Sequence, residues 1–227
     1  MANVGVVGDV HEPFGLDGYL EFCQETFEAW DVDRVVFIGD LVDNHDLSFH
    51  DSEPIAKAVT QEHEDAKERV ALWVEAFPKA DWLLGNHCSL PARQLRKLRM
   101  HPDIYLKSYH DIYDLPETWT IHEHDFEIDG VIYRHGPRCG GEFGHKRDAI
   151  LSMQSVVCGH LHSNHGVAWH ACEHRAVFGL AVGCGVDKTS YAMAYGKDSP
   201  KKPIIGCGIV LDGIHAYAER MNLGEKP

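Results

Sequence analysis

Five short stretches carry side chains able to hold divalent cations: Asp9-Val10-His11, Gly39-Asp40-Leu41-Val42-Asp43, Gly85-Asn86-His87, His135, and Gly159-His160-Leu161-His162. Every donor is an oxygen or an imidazole. That set suits Mn, Fe, Co, Ni or Zn at a reactive centre rather than a thiolate-built structural zinc site. Each stretch taken singly has a plain alternative. D-x-H arises by chance, an Asp after a Gly can cap the next helix, Gly85-Asn86-His87 can be an ordinary turn, and H-x-H can sit on an exposed edge. With 17 histidines in 227 residues such coincidences multiply, so position has to decide.

Position favours chemistry. A short apolar or β-branched run stands before each stretch: Val4 to Val7, Val35 to Ile38, Trp82 to Leu84, Val131 to Tyr133 and Val156 to Cys158. These runs read as buried strands ending in loops. Between them Leu16, Leu20, Cys23, Phe27 and Trp30 recur on one helical face, and Ala56 to Phe77 is long, charged and amphipathic. Alternating strand and helix predicts a layered α/β fold, in which ligands bind beyond the carboxyl ends of the strands. The glycine before Asp40 permits a tight exit that leaves a carboxylate at a strand tip. After His162 the runs Ala176 to Val182, Ile204 to Leu211 and Ile214 to Ala218 predict a β-rich remainder, with Asp212-Gly213 as a hairpin turn. Residues 101–126 lack a clear period and read as irregular or as a small insertion in a single domain spanning 1–227.

Composition limits the partners. A formal net charge of −14 argues against a non-specific binder of duplex DNA or of anionic membrane, since such proteins cluster Lys and Arg. An anionic substrate must then be drawn in locally, and bound cations are the obvious means. The seven cysteines are odd in number, scattered and never in a C-x-x-C pair, so neither a disulfide framework nor a zinc knuckle is expected. A reducing cytoplasm is the expected compartment, and no run of about 18 apolar residues suggests a membrane span.

Taken in order, D-x-H, GD-x-x-D, GNH, a lone His and GH-x-H resemble the signature of the calcineurin-like metallophosphoesterases, over Asp9 to His162. The resemblance implies a four-layer αββα sandwich with a binuclear metal centre at its rim, and a β-rich remainder compatible with the second sheet. Carried over residue by residue, it implies that Asp9, His11, Asp40 and His162 hold one ion and Asp40, Asn86, His135 and His160 the other, Asp40 bridging. Two divalent ions are expected, Mn²⁺ foremost, with Fe, Ni, Co or Zn as alternatives. Two cations about 3.5–4 Å apart can bind phosphate oxygens and generate a nucleophilic hydroxide. His87, beside Asn86 yet not itself a ligand, is then the natural acid for the leaving oxygen, with Asp43 orienting and charging it.

Departures from the signature narrow the reading. Where many relatives carry arginines after the second motif and before the third, this chain has Asn44-His45 and Leu84, and Cys88 follows His87. The arginines that grip phosphate in the Ser/Thr protein phosphatases of that superfamily are missing, which tilts the expectation from monoesters to phosphodiesters. Asp9 to Phe14 and Gly39 to His50 more closely resemble a phage and bacterial branch, for which a host cytoplasm would be the setting. Asn86, His45 and Arg138, the last in the turn after His135, are the expected substrate contacts. His50 and His165 could lie near the pocket, the other histidines read as structural or solvent-facing, and Cys88 and Cys158 as packing residues. The substrate expected is a small or nucleic-acid-derived phosphoester. The rival readings are a phosphomonoesterase, a silent scaffold, opposed by the complete ligand set, and a nuclease on long DNA, opposed by the acidic composition.

Overall fold

A computed structural model describes residues 1–48, 59–171, 173–190 and 200–224. His50, Cys172 and the first residues of the long helical pattern at Ala56 lie outside the described residues. The first part of the chain runs β1 (Asn3–Val7), α1 (Tyr19–Ala29), β2 (Arg34–Phe37), α2 (Val59–Ala76), β3 (Ala80–Leu83) and α3 (Leu90–Lys97). Two short helices, α4 (Pro102–Tyr105) and α5 (Tyr109–Tyr113), lead to β4 (Trp119–His122), β5 (Phe126–Ile128), β6 (Val131–Arg134), α6 (Gly144–Ser152) and β7 (Ser155–Cys158). The chain then passes through β8 (His165–Ala171), β9 (Ala176–Val182), β10 (Gly206–Leu211) and β11 (His215–Arg220).

These strands form a six-stranded sheet, ordered β11-β10-β1-β2-β3-β4, and a five-stranded sheet, ordered β5-β6-β7-β9-β8. The central strands are apolar along their whole length because each is covered on both faces. Alternation divides their side chains. Val4, Val6, Val36 and Ile38 meet Val131, Tyr133, Val157, Phe178 and Leu180 between the sheets. Val7, Val35, Phe37 and Trp82 face the other way, onto Tyr19, Cys23 and Phe27 of α1 and Ala66, Val70 and Trp73 of α2. Across the second sheet, Ala149 of α6 packs on Val156 and Val177. The layers are therefore helix, sheet, sheet, helix, the expected αββα sandwich.

Two expectations need correction. The β-rich remainder does not belong to one sheet: β8 and β9 complete the second, whereas β10 pairs antiparallel with β1 and carries β11 to the edge of the first. Strand period says which residues face a core but not which sheet a strand joins. The Asp212-Gly213 turn forms as expected, both residues with positive φ and the Ile214 N–H donating to the Leu211 carbonyl. The 101–126 stretch, in turn, is no irregular appendage. β4 extends the first sheet parallel to β3, and Tyr113, Leu115 and Trp119 enter the helix-side core. Its elements are only four and five residues long, too short for a helical or strand period to register.

Candidate metal centre

The parallel order of β1, β2 and β3, and of β6 and β7, brings the carboxyl ends of five strands to one rim, and the polar stretches leave from there. The loops are then stitched together. The Val10 and His11 N–H groups both donate to the Asp40 carbonyl, at 3.1 and 2.8 Å, and the Gly159 N–H donates to the His135 carbonyl at 2.8 Å. Side chains add to this: Asp40 Oδ1 accepts from the His87 N–H and Asp9 Oδ2 from the His160 N–H, each at 2.8 Å. His11, Asp40 and His160 take left-handed backbone conformations, uncommon for residues with a Cβ and costly unless the surroundings hold them. Gly85 explains itself by close approach, since a Cβ there would overlap the Asp40 carboxylate. At Gly39 a Cβ would strike the His135 ring, and the φ of 125° is one that other residues avoid.

The side chains converge in two groups of donors. In one, His162 Nε2 lies 3.2 Å from both Asp9 Oδ2 and His11 Nε2. In the other, His135 Nε2 lies 3.0 Å from both Asp40 Oδ2 and Asn86 Oδ1, and its ring meets that of His160 edge-on with centroids 5.0 Å apart. Within Asp9, His11 and His162, and within Asp40, His135 and His160, one donor atom from each residue lies within 4.8 Å of the others. Asp40 Oδ2 also stands 3.9 Å from His11 Nε2, so this carboxylate faces both groups. The donors fit divalent cations in chemistry as well as in spacing. Asp9 Oδ1 is buried without a hydrogen-bond partner, a cost that a carboxylate oxygen meets only where it has a cation or donor to face.

A third cluster joins His11, Asp43 and His87. Asp43 Oδ1 accepts from His11 Nδ1 at 2.5 Å and lies 2.7 Å from His87 Nδ1, so one buried oxygen aligns two imidazoles. Burial lowers the basicity of His87, but the hydrogen bond and charge of Asp43, reinforced by Asp40, outweigh it and hold the imidazole up at about 9. The same contest leaves His135 at about 9, burial being outweighed by the charges of Asp40 and Asp9. Conversely, burial would raise Asp40 and Asp43, yet the facing histidines keep both carboxyls below their ordinary range.

A sequence profile described as calcineurin-like phosphoesterase matches residues 2–171. The chain belongs to that family. Among solved structures, Yfce, a phosphoesterase from E. coli, is similar at 15% identity and a TM-score of 0.45, over 92% of this chain and 88% of that one. Vacuolar protein sorting 29 from Cryptosporidium parvum is similar at 11% identity and a TM-score of 0.48, over 99% of this chain and 93% of that one. No curated protein matches the sequence. Membership supports metal-dependent phosphoester hydrolysis, and the clusters of this calcineurin-like phosphoesterase supply the donors for it.

Of the expected site residues, Asp9, His11, Asp40, Asp43, Asn86, His87, His135, His160 and His162 come together in this calcineurin-like phosphoesterase. His45 stands just behind, its Nδ1 3.8 Å from Asp43 Oδ2 and its ring edge-on to Phe14. Arg138 is not gathered with them. Its guanidinium is 68% exposed, pairs with Asp125 at 3.2 Å and lines a surface hollow with Phe126, Arg134 and Ser152. His165 donates to the Glu219 carbonyl at the edge of β11. Two supporting carboxylates escaped the sequence reading. Glu12 is buried, accepting from Trp73 Nε1 at 2.8 Å and Arg69 Nε at 3.1 Å, and so pins the first motif to α2. Glu62 of α2 accepts from the His45 and Asp46 N–H groups, and burial, with the charge of Asp43, pushes its carboxyl up to about 7. Glu12 directly follows Asp9-Val10-His11, a signal that could have been used; Glu62 lies on a charged helix face and gave none.

Proposed function

We propose that the protein is a phosphodiesterase in which Asp9, His11, Asp40 and His162 hold one divalent ion and Asp40, Asn86, His135 and His160 a second. When bound, two such ions, Mn²⁺ by expectation, supply positive charge to the phosphate oxygens and an activated water. The observation that carries the reading is the meeting of two donor groups at Asp40, with an aspartate-held imidazole beside them. His87 is 23% exposed, and its Nδ1 is engaged by Asp43, which leaves Nε2 to pass a proton to the departing oxygen. Asp43 keeps that proton available by favouring the charged ring. Asn86 turns its carbonyl oxygen toward the His135 side, consistent with a ligand or a phosphate contact.

Preference for a diester is supported by the arginines. The two that flank His135, Arg134 and Arg138, are committed to Asp148 and Asp125, so neither is offered to a phosphate dianion. Among the described residues six cysteines are buried and free, which supports a reducing, cytoplasmic setting, and no helix is long and apolar enough to cross a membrane. The test is a parallel assay of bis-nitrophenyl phosphate and nitrophenyl phosphate with Mn²⁺-loaded protein, repeated after exhaustive chelation. Higher kcat/KM on the diester, lost on chelation and restored by Mn²⁺, is expected. The reverse order would make it a monoesterase, and no turnover of either by protein carrying its metals would make it a scaffold.

A further inference from the structure

His135 leaves β6 into a glycine-rich segment. Gly136, Gly140 and Gly141 lie between it and α6, and Gly140 and Gly141 are exposed with open space around them. Glycine gives such a segment many conformations, so something outside it has to fix where the His135 ring stands. The side chains of β6 show what does. They alternate, Val131 and Tyr133 turning toward the first sheet and Ile132 and Arg134 toward α6. Arg134 and His135 are therefore the two ends of one lever, and the ring keeps its place in the centre only while the guanidinium is held on the far face.

Asp148 of α6 holds it. This carboxylate is fully buried, and both its oxygens accept from Arg134 Nη1, at 2.9 and 3.1 Å. Its Oδ2 also accepts from the Arg138 N–H at 2.9 Å, and Ser152 Oγ donates to Oδ1 at 3.2 Å. One side chain thus grips the chain on both sides of His135, at 134 through the guanidinium and at 138 through the main chain. On the opposite face His135 Nε2 stands 3.0 Å from Asp40 Oδ2 and from Asn86 Oδ1. Stability alone is a poor reason for such a pair. Taking two charges out of water is costly, and apolar residues of equal volume often serve a core as well or better. Here Arg134 Nε is in addition buried without a hydrogen-bond partner. What the pair supplies and apolar residues would not is direction, because charge-assisted hydrogen bonds fix geometry as well as contact.

We propose that Asp148 and Arg134 are positioning residues for the ion assigned to Asp40, Asn86, His135 and His160; the assignment rests on the ligand set proposed above. Two variants test it. In Asp148→Asn, Arg134 keeps Asp125, 3.2 Å from Nη2, as its counter-charge. The double variant Arg134→Met/Asp148→Leu exchanges the buried pair for apolar bulk. Each is compared with wild type by Mn²⁺ titration calorimetry, by thermal unfolding and, metal-free, by the ring nitrogen NMR signals of His135 and His11. In both variants one ion should bind about tenfold more weakly, the low end of what loss of a partner behind a ligand costs, and the other should change by less than about twofold. The His135 ring signals should shift or broaden while those of His11 stay. A double variant that unfolds at the wild-type temperature and still shows these changes separates positioning from stability. Folded variants with wild-type affinities and unmoved His135 signals would overturn the proposal, as would equal weakening of both ions. Loss of folding in both variants would do so too, by making the pair structural. Wild type that binds fewer than two ions would strike the ligand set instead, with the metal-free His135 signals still deciding whether Asp148 and Arg134 position that ring.

Discussion

The two halves of the centre are held in place by different means. On the Asp9, His11 and His162 side, the ring of His11 is fixed through Nδ1 by the Asp43 carboxylate, and Asp9 and His11 are buried. On the Asp40, His135 and His160 side, His135 Nδ1 donates instead to the Ile38 carbonyl at 3.2 Å, and His160 is exposed. A carboxylate partner raises the basicity of an imidazole and can be removed by substitution, whereas a main-chain carbonyl orients the ring without a net charge and cannot. The first half is therefore tuned by a side chain that also serves His87, and the second by the strand end itself. The difference makes the halves separable by experiment.

Asp40 is the residue that should not separate them, because it faces both groups. Asp40→Ala should release both ions and lower hydrolysis by about 10³-fold or more, since the ions supply several kcal/mol of charge stabilisation in the transition state. Metal stoichiometry by plasma spectrometry, beside turnover, checks this; a variant keeping two ions at full rate would sink the ligand assignment.

His87→Ala should leave both halves loaded and act on the chemistry. A loss of about 10²–10⁴-fold is expected for an alkyl leaving group and a much smaller one for nitrophenolate, which departs with little need of a proton. Equal losses on the two esters would assign His87 to phosphate binding, and a lost ion would make it a ligand.

Asp43→Asn sharpens the comparison furthest, although its effect is smallest. The family resemblance implied that Asp43 acts on His87, but the shared Oδ1 ties it to His11 as well. The variant should weaken metal affinity about 10–100-fold, as loss of a partner behind a histidine ligand does, and only on the Asp9, His11 and His162 side. Titration with Mn²⁺ should then show one weakened and one unchanged site. Equal weakening of both would mean that the halves are coupled through Asp40 more strongly than they are distinguished by Asp43.

The sequence by itself determined the strands that lead into the five polar stretches, the layered class, and which candidate donors stand at those strand ends. Those features rest on local patterns: apolar runs of strand length, a glycine at four of the five exits, and a polar residue straight after. Val4 to Val7 before Asp9 and Val156 to Cys158 before His160 are legible without any knowledge of what lies across the sheet. Only the tertiary structure decided the pairings. That β10 and β11 close the first sheet, that 101–126 supplies an edge strand and the tyrosines of a cavity, and that Arg138 turns to Asp125 all depend on partners far along the chain. The same holds for Asp43, whose one oxygen serves two imidazoles, and for Glu12 and Glu62, which tie loops of the centre to α2. A residue's type and spacing say what it is able to bind; which atom comes to face it is set by packing between segments that the sequence keeps apart.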